Sequence, residues 1–258
     1  MVNMAGKRFI VTGGANGMGA AVVRALIDAN AKVASLDVAV EKGEAAVASA
    51  NARGPGTASF HACDISQRAE VEAAFAGAVA NLGGLDGLVN AAGVEDLFAP
   101  EDITDATWYR TMSINVTGTF LTNQIAFPHL KDHGGVILNF ASDTALTPYA
   151  LSAHYAASKG AVVAWTRSVA AAWGKYNIRA NSMVPAIRTP MFEAHCAAMS
   201  PEERAAHLQH IQNQMMIRGE LGDPDKDFAP VALFMLSEGA RFMTGQLISV
   251  NGGIGVTR

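Results

Sequence analysis

Short runs of β-branched and apolar residues alternate with longer Ala-rich stretches along this chain, and that alternation constrains the fold more than any single motif. RFIVT (8–12), KVASLD (32–37), ASFHACD (58–64), LDGLVNA (85–91), GVILNFAS (135–142), IRANSMV (178–184) and QLISVNG (246–252) read as strands. The stretches 17–29, 40–52, 67–82, 104–130, 151–175 and 225–237 read as amphipathic helices. A strand–helix–strand repeat gives parallel neighbours joined by right-handed crossovers, which lay helices on both faces of the sheet. The expected architecture is α/β, a doubly wound parallel sheet of about seven strands. Half of the 258 residues are hydrophobic, enough for one large core. With no linker, repeat or low-complexity tract, residues 1–258 are expected to form one domain. The segment 186–224 breaks the rhythm. It is longer than a normal strand–helix connection, has its own helical pattern at 200–217, and carries Met191, Phe192, Met199, Met215 and Met216. It reads as a substrate lid with a mainly apolar inner face; a helical pair that only packs on the body is the alternative.

Charge excludes several classes of partner. A net charge of −4 and a pI near 6.0 argue against nucleic acid or an anionic membrane. Cys63 and Cys196 make no disulfide framework, and His207 and His210 have no third ligand at a fitting interval, so no metal site is expected. The N-terminus lacks an apolar signal region, and the apolar run from Gly160 to Trp173 is short and broken by Arg167. A reducing, cytoplasmic location is the expectation.

The first strand runs into TGGANGMG, residues 12–19. Gly13, Gly17 and Gly19 fall where the chain must turn sharply and open a helix, so that backbone N–H groups and the helix N-terminus can approach a pyrophosphate. A tight turn without ligand has the same pattern, but Asp37 closes the second strand 18 residues beyond Gly19. A dinucleotide site places a carboxylate there, against ribose hydroxyls. It would repel a 2′-phosphate, and neither Asn16 nor Val38 supplies a cation, so NAD is expected over NADP.

In HYAASKGA (154–161), Tyr155 and Lys159 stand at i and i+4 on one helix face. A phenol with a pKa of about 10 is a poor base at neutral pH, and a nearby ammonium lowers that value. The pair therefore suits proton transfer to or from a hydroxyl during hydride transfer. A packing tyrosine and a snorkelling lysine would give the same spacing.

Taken in order, T-G-x-x-x-G-x-G at 12–19, Asp64 in ACDIS, N-A-A-G at 90–93, Asn115 in SINVTG, Ser142 thirteen residues before Tyr155, Y-x-x-x-K at 155–159 and the closing MTGQLISVNGG resemble the short-chain dehydrogenase/reductase family over nearly the whole chain. The resemblance implies a Rossmann-like fold and an oxidoreductase that interconverts a secondary alcohol and a ketone. Tyr155 would be the general acid/base, Ser142 would hold the substrate oxygen, and Lys159 would bind the nicotinamide ribose and lower the tyrosine pKa. The Asn115 carbonyl would hold a relay water. Gly13, Asn16, Gly17, Met18, Gly19, Asp37, Asp64, Ile65, Asn90 and Gly93 would line the cofactor. Two departures stand out. Ala91 replaces a frequent second asparagine, and Pro185-Ala186-Ile187-Arg188-Thr189 is one residue shorter than the family's loop and lacks its glycine. Ile187 and Thr189 are the positions in that loop that would meet the carboxamide. A homotetramer built on the helices at 104–130 and 151–175 also follows from the resemblance.

Other residues leave alternatives open. His154 adjoins Tyr155, but helix neighbours point about 100° apart. Glu95 and Asp96 are solvated loop acids, or one faces a polar substrate group, and Asp143 is equally ambiguous. An apolar cyclic or aryl alcohol is the expected substrate. A 3-ketoacyl-carrier reductase and a non-catalytic dinucleotide-binding scaffold are the rivals, opposed respectively by Asp37 and by the Ser142–Tyr155–Lys159 set.

Overall fold

The structure, a computed structural model, describes residues 2–254. Among them seven strands form one all-parallel sheet in the order β3-β2-β1-β4-β5-β6-β7. They are β1 (Arg8–Thr12), β2 (Lys32–Asp37), β3 (Thr57–Ala62), β4 (Gly87–Asn90), β5 (Gly135–Phe140), β6 (Ile178–Pro185) and β7 (Leu247–Val250). The helices are α1 (Gly17–Asp28), α2 (Val40–Asn51), α3 (Arg68–Leu82), α4 (Asp105–Met112), α5 (Thr119–Leu130), α6 (Ala153–Trp173), α7 (Pro190–Ala198), α8 (Pro201–Gln214) and α9 (Ala229–Leu236). This is the doubly wound, Rossmann-like fold that the alternation predicts.

Strand residues alternate between two cores, as a period of two requires. Phe9, Val11, Val33, Val89 and Leu138 pack against Val23, Leu26 and Ile27 of α1 and Ala232, Met235 and Leu236 of α9. Ile10, Ala34, Leu36, Leu88 and Ile137 face the other way, onto Phe75 of α3, Leu121 and Leu130 of α5 and Val169 of α6. Each large side chain buried here contributes roughly 1.5–3 kcal/mol. The order reverses between β1 and β4, so the loops at the carboxyl ends of those strands diverge and leave a crevice there.

Three local features depart from the sequence expectation. The predicted helix 104–130 is interrupted by a π-turn, Ser113–Gly118, between α4 and α5. Hydroxyls satisfy carbonyls within that turn: Thr119 Oγ1 donates to Asn115 O at 2.8 Å and Thr122 Oγ1 to Gly118 O at 2.8 Å. A single-turn insertion of this kind within an α-helix is frequent at functional sites. Helix α7 was not expected; its start was legible in Thr189, which caps Phe192 N, followed by Pro190. Strands β3, β4, β5 and β7 are shorter than predicted: each loses its last residues to the crevice loops, and β4 and β7 also begin later, at Gly87 and Leu247. No helix among the described residues is long and apolar enough to cross a membrane.

Candidate active site

A cavity of about 990 Å³ runs along the carboxyl ends of the strands and is walled by the loops that follow them. At one end lies the turn after β1. Gly13 has φ +68°, and a Cβ there would stand 2.6 Å from Ala92 N, so the two loops touch through bare backbone. A Cβ at Gly19 would be driven into the Gly13 carbonyl. These positions make a cradle at the N-terminus of α1, the geometry that accepts a pyrophosphate. Gly17, Asn16 and Met18 line it. Asp37 ends β2, accepting from Ala15 N at 3.1 Å and Ala39 N at 3.0 Å. Both carboxylate oxygens are thus fixed, and each retains a lone pair toward the cavity. Among the described residues, the Lys and Arg side chains lining the cavity are Arg110 and Lys159, and both belong to its other end. Val38 beside Asp37 is 66% exposed and offers no charge. Asp64 and Ile65, following β3, complete this half, and Gly93, Ile187 and Thr189 border its middle. The residues fit a dinucleotide on shape, on the bare cradle and on the Asp37 carboxylate at the end of β2.

The shortened loop after β6 is pinned by backbone bonds, Ala186 N to Val250 O at 3.0 Å and Arg188 N to Gly222 O at 2.9 Å. That holds Ile187 and Thr189 on the cavity wall without the glycine.

At the other end Ser142, Tyr155 and Lys159 meet. Ser142 follows β5, and its Oγ accepts from Thr144 N at 3.2 Å and donates to Asp143 Oδ1 at 3.1 Å. Lys159 is buried; its Nζ donates to Phe140 O at 2.8 Å and lies 5.5 Å from the centre of the Tyr155 ring. Asn115, inside the π-turn, clamps the loop after β4: its Oδ1 accepts from Val94 N and its Nδ2 donates to Val94 O, both at 2.9 Å. Nδ2 also lies 3.0 Å from Ser158 Oγ, one residue before Lys159. A Cβ at Gly93 would lie 3.2 Å from Asn115 Oδ1 and 3.4 Å from Lys159 Nζ, so the three positions converge.

Burial dominates the electrostatics. It pushes the Lys159 ammonium down to about 8, with the Glu95 carboxylate opposing. It pushes the Tyr155 phenol well above its ordinary range, reinforced by Glu95 and then opposed by the Ser142 hydroxyl. Asp143 adds to the upward push, and the lowering expected of this phenol rests on the Lys159 ammonium acting together with the positive nicotinamide.

Other expectations are also revised. The Asn90 side chain stands behind the wall, donating to Asn139 Oδ1 at 2.8 Å and accepting from Thr122 Oγ1 at 2.8 Å. Together with Asn123 and Thr166 it ties β4 and β5 to α5 and α6. His154 is fully buried against Phe98 and does not line the cavity. Glu95 is not a solvated acid; it lines the cavity, and burial pushes its carboxyl up to about 7. Asp96 pairs with Arg110. Over 186–224 the cavity is lined by Ala186, Ile187, Pro190, Met191, Phe192, Ile211, Met216 and Leu221, with Thr189, His195, His207, His210 and Gln214 set among them. Met215 turns away to pack on Gly252, and Ile217 is exposed. Tyr149, Thr144 and Arg110 also line the cavity and carried no signal in spacing or motif.

A family model described as short chain dehydrogenase matches residues 7–200. The chain is 37% identical over 257 residues to 2,5-dichloro-2,5-cyclohexadiene-1,4-diol dehydrogenase of Sphingobium indicum, with 98% of each covered. It is 35% identical over 251 residues to L-fucose dehydrogenase of Oryctolagus cuniculus, covering 96% of this chain and 85% of that one. The crystal structure of levodione reductase matches with a TM-score of 0.92 at 30% identity, covering 97% of this chain and 98% of that one. The chain belongs to the short-chain dehydrogenase family. It is an oxidoreductase of that family acting on alcohols.

Proposed function

We propose that this protein is an NAD-dependent dehydrogenase that interconverts a ring-borne secondary alcohol and its ketone. The observation that carries this reading is one continuous cavity with a bare glycine cradle and Asp37 at one end and Ser142, Tyr155 and Lys159 at the other. NAD bound there supplies the hydride acceptor. The protein's own residues do the rest. Gly13, Gly17 and Gly19 give close approach to the pyrophosphate, and Asp37 accepts from the ribose hydroxyls. Ser142 donates to the substrate oxygen, and Tyr155 takes the hydroxyl proton. Lys159, held on Phe140 O, stabilises the phenolate and passes the proton toward the Asn115 carbonyl, which keeps a second lone pair beside its Thr119 bond. Ring substrates are supported by the relatives named for a cyclohexadiene diol and for L-fucose. Helices α7 and α8 act as the cover, so amide exchange over 190–214 slows when NADH and a ketone are added together; unchanged exchange would mean that they only pack on the body.

Cofactor choice is tested at Asp37. The unmodified enzyme uses NAD+ with a higher kcat/KM than NADP+. Asp37→Ser with Val38→Arg removes repulsion and adds a phosphate partner, shifting the ratio toward NADP+ by on the order of tenfold to a hundredfold. Equal use of both cofactors by the unmodified enzyme would contradict the assignment. An acyl-carrier reductase is disfavoured by the same aspartate and by the net charge of −4.

A further inference from the structure

Glu95 stands out among the cavity residues because the structure fixes its loop in place and, among the described residues, forms no ion pair to its carboxylate. The loop that carries it is fastened on both sides. Asn115 clamps the Val94 peptide through both its N–H and its carbonyl. Beyond it, Ser152 Oγ donates to Asp96 O at 2.9 Å and Phe98 N donates to Leu151 O at 2.7 Å. The residue before and the residues after Glu95 are therefore tied to the π-turn and to the start of α6, the elements that position Lys159 and Tyr155. Yet no ion pair reaches Glu95 among the described residues. Arg110 is engaged by Asp96, and Lys159 donates to the Phe140 carbonyl. The side-chain hydroxyl acting on Glu95 is that of Ser152, which also serves Asp96 O. A carboxyl lining a cavity with such partners retains unused acceptor capacity.

Resting on the alcohol-dehydrogenase function proposed above, we propose that Glu95 accepts a hydrogen bond from a second hydroxyl of the substrate, making the site selective for ring diols over the mono-alcohol of the same ring. The reacting oxygen is claimed by Ser142 and Tyr155, so a hydroxyl elsewhere on the ring is the donor left to face Glu95. The groups that act on Glu95 are Lys159 from α6, Asp143 from the loop after β5 and Asp96 from its own loop, with the Ser152 hydroxyl at the start of α6. Glu95 in turn acts on Tyr155 and Tyr149. Burial brings its carboxyl to about 7, and a charged acceptor binds a hydroxyl more strongly than a neutral acid does. Selectivity for the diol therefore increases with pH through that value. A hydroxyl donated to the carboxylate also draws its charge away from Tyr155.

The test compares kcat/KM with NAD+ for cyclohexanol and for the 1,2-, 1,3- and 1,4-cyclohexanediols, from pH 5.5 to 8.5. At least one diol exceeds cyclohexanol by about tenfold or more, and that ratio climbs across neutrality. Glu95→Leu lowers the ratio by about tenfold to a hundredfold. Glu95→Gln, nearly isosteric, lowers it less and removes its pH dependence. An equal loss on diol and cyclohexanol in both variants, or a wild-type ratio near one at every pH, would overturn the role of Glu95 while leaving the dehydrogenase function intact. NADH binding without turnover of any of the four alcohols would overturn the dehydrogenase function, and the role of Glu95 with it.

Discussion

Tyr155→Phe abolishes turnover, by at least about a thousandfold in kcat/KM, and leaves NADH affinity within about threefold. The substitution removes one oxygen and keeps the ring that lies 5.5 Å from Lys159 Nζ, so the packing of α6 has little reason to change. What disappears is the Tyr155 phenol that hydrogen-bonds the Ser142 hydroxyl at the start of α6, and with it the group that takes the substrate proton. Lys159→Ala behaves differently. It leaves the Phe140 carbonyl without its 2.8 Å donor and empties a buried position, so both rate and cofactor affinity fall. The contrast between the two variants separates proton transfer from cofactor binding. A phenylalanine variant that kept a tenth of the wild-type rate would remove Tyr155 from the chemistry.

The second large effect is at Gly19. An alanine there drives its methyl group into the Gly13 carbonyl, a backbone atom that cannot rotate away. Gly13 cannot retreat either: its N–H bonds Leu36 O at 2.8 Å, and it already lies against Ala92. One of the two loops must shift, at a cost on the order of 1–3 kcal/mol. The shift distorts the cradle itself, so NADH affinity drops by roughly tenfold to a hundredfold, with a lower melting temperature. Fluorescence titration of NADH and a thermal melt read both. Unchanged affinity in a folded Gly19→Ala protein would place the cofactor somewhere other than this turn.

The sheet was legible because its information is local. Strand runs such as RFIVT and GVILNF carry their burial in their own composition, and their order follows from handed crossovers. The glycine cradle, Asp37 and the Tyr155–Lys159 pair were legible for a similar reason, since turn and helix spacing fix their geometry within a few residues. Glu95 was not. Its place on the cavity wall depends on Asn115, twenty positions away, and on Ser152 at the start of α6, which no local pattern connects to it. Asn90 was misplaced for the same reason: its partners Thr122 and Asn139 come from two other elements. The inner face of α7 and α8 was read from methionines at the ends of the segment, whereas the helical turn brings His195, His207 and His210 to the cavity between them. Composition suggests what a segment contains, but side-chain direction decides what a substrate meets.

The most direct measurement follows the NADH absorbance after mixing wild-type protein with NAD+ and a panel of ring alcohols, with the Tyr155→Phe protein alongside. The wild type forms NADH and ketone in equal amounts with at least one ring alcohol, and the phenylalanine variant forms neither while still binding NADH. NADH bound by the wild type without turnover of any alcohol in the panel would contradict the account, and would leave a dinucleotide-binding protein without a dehydrogenase reaction.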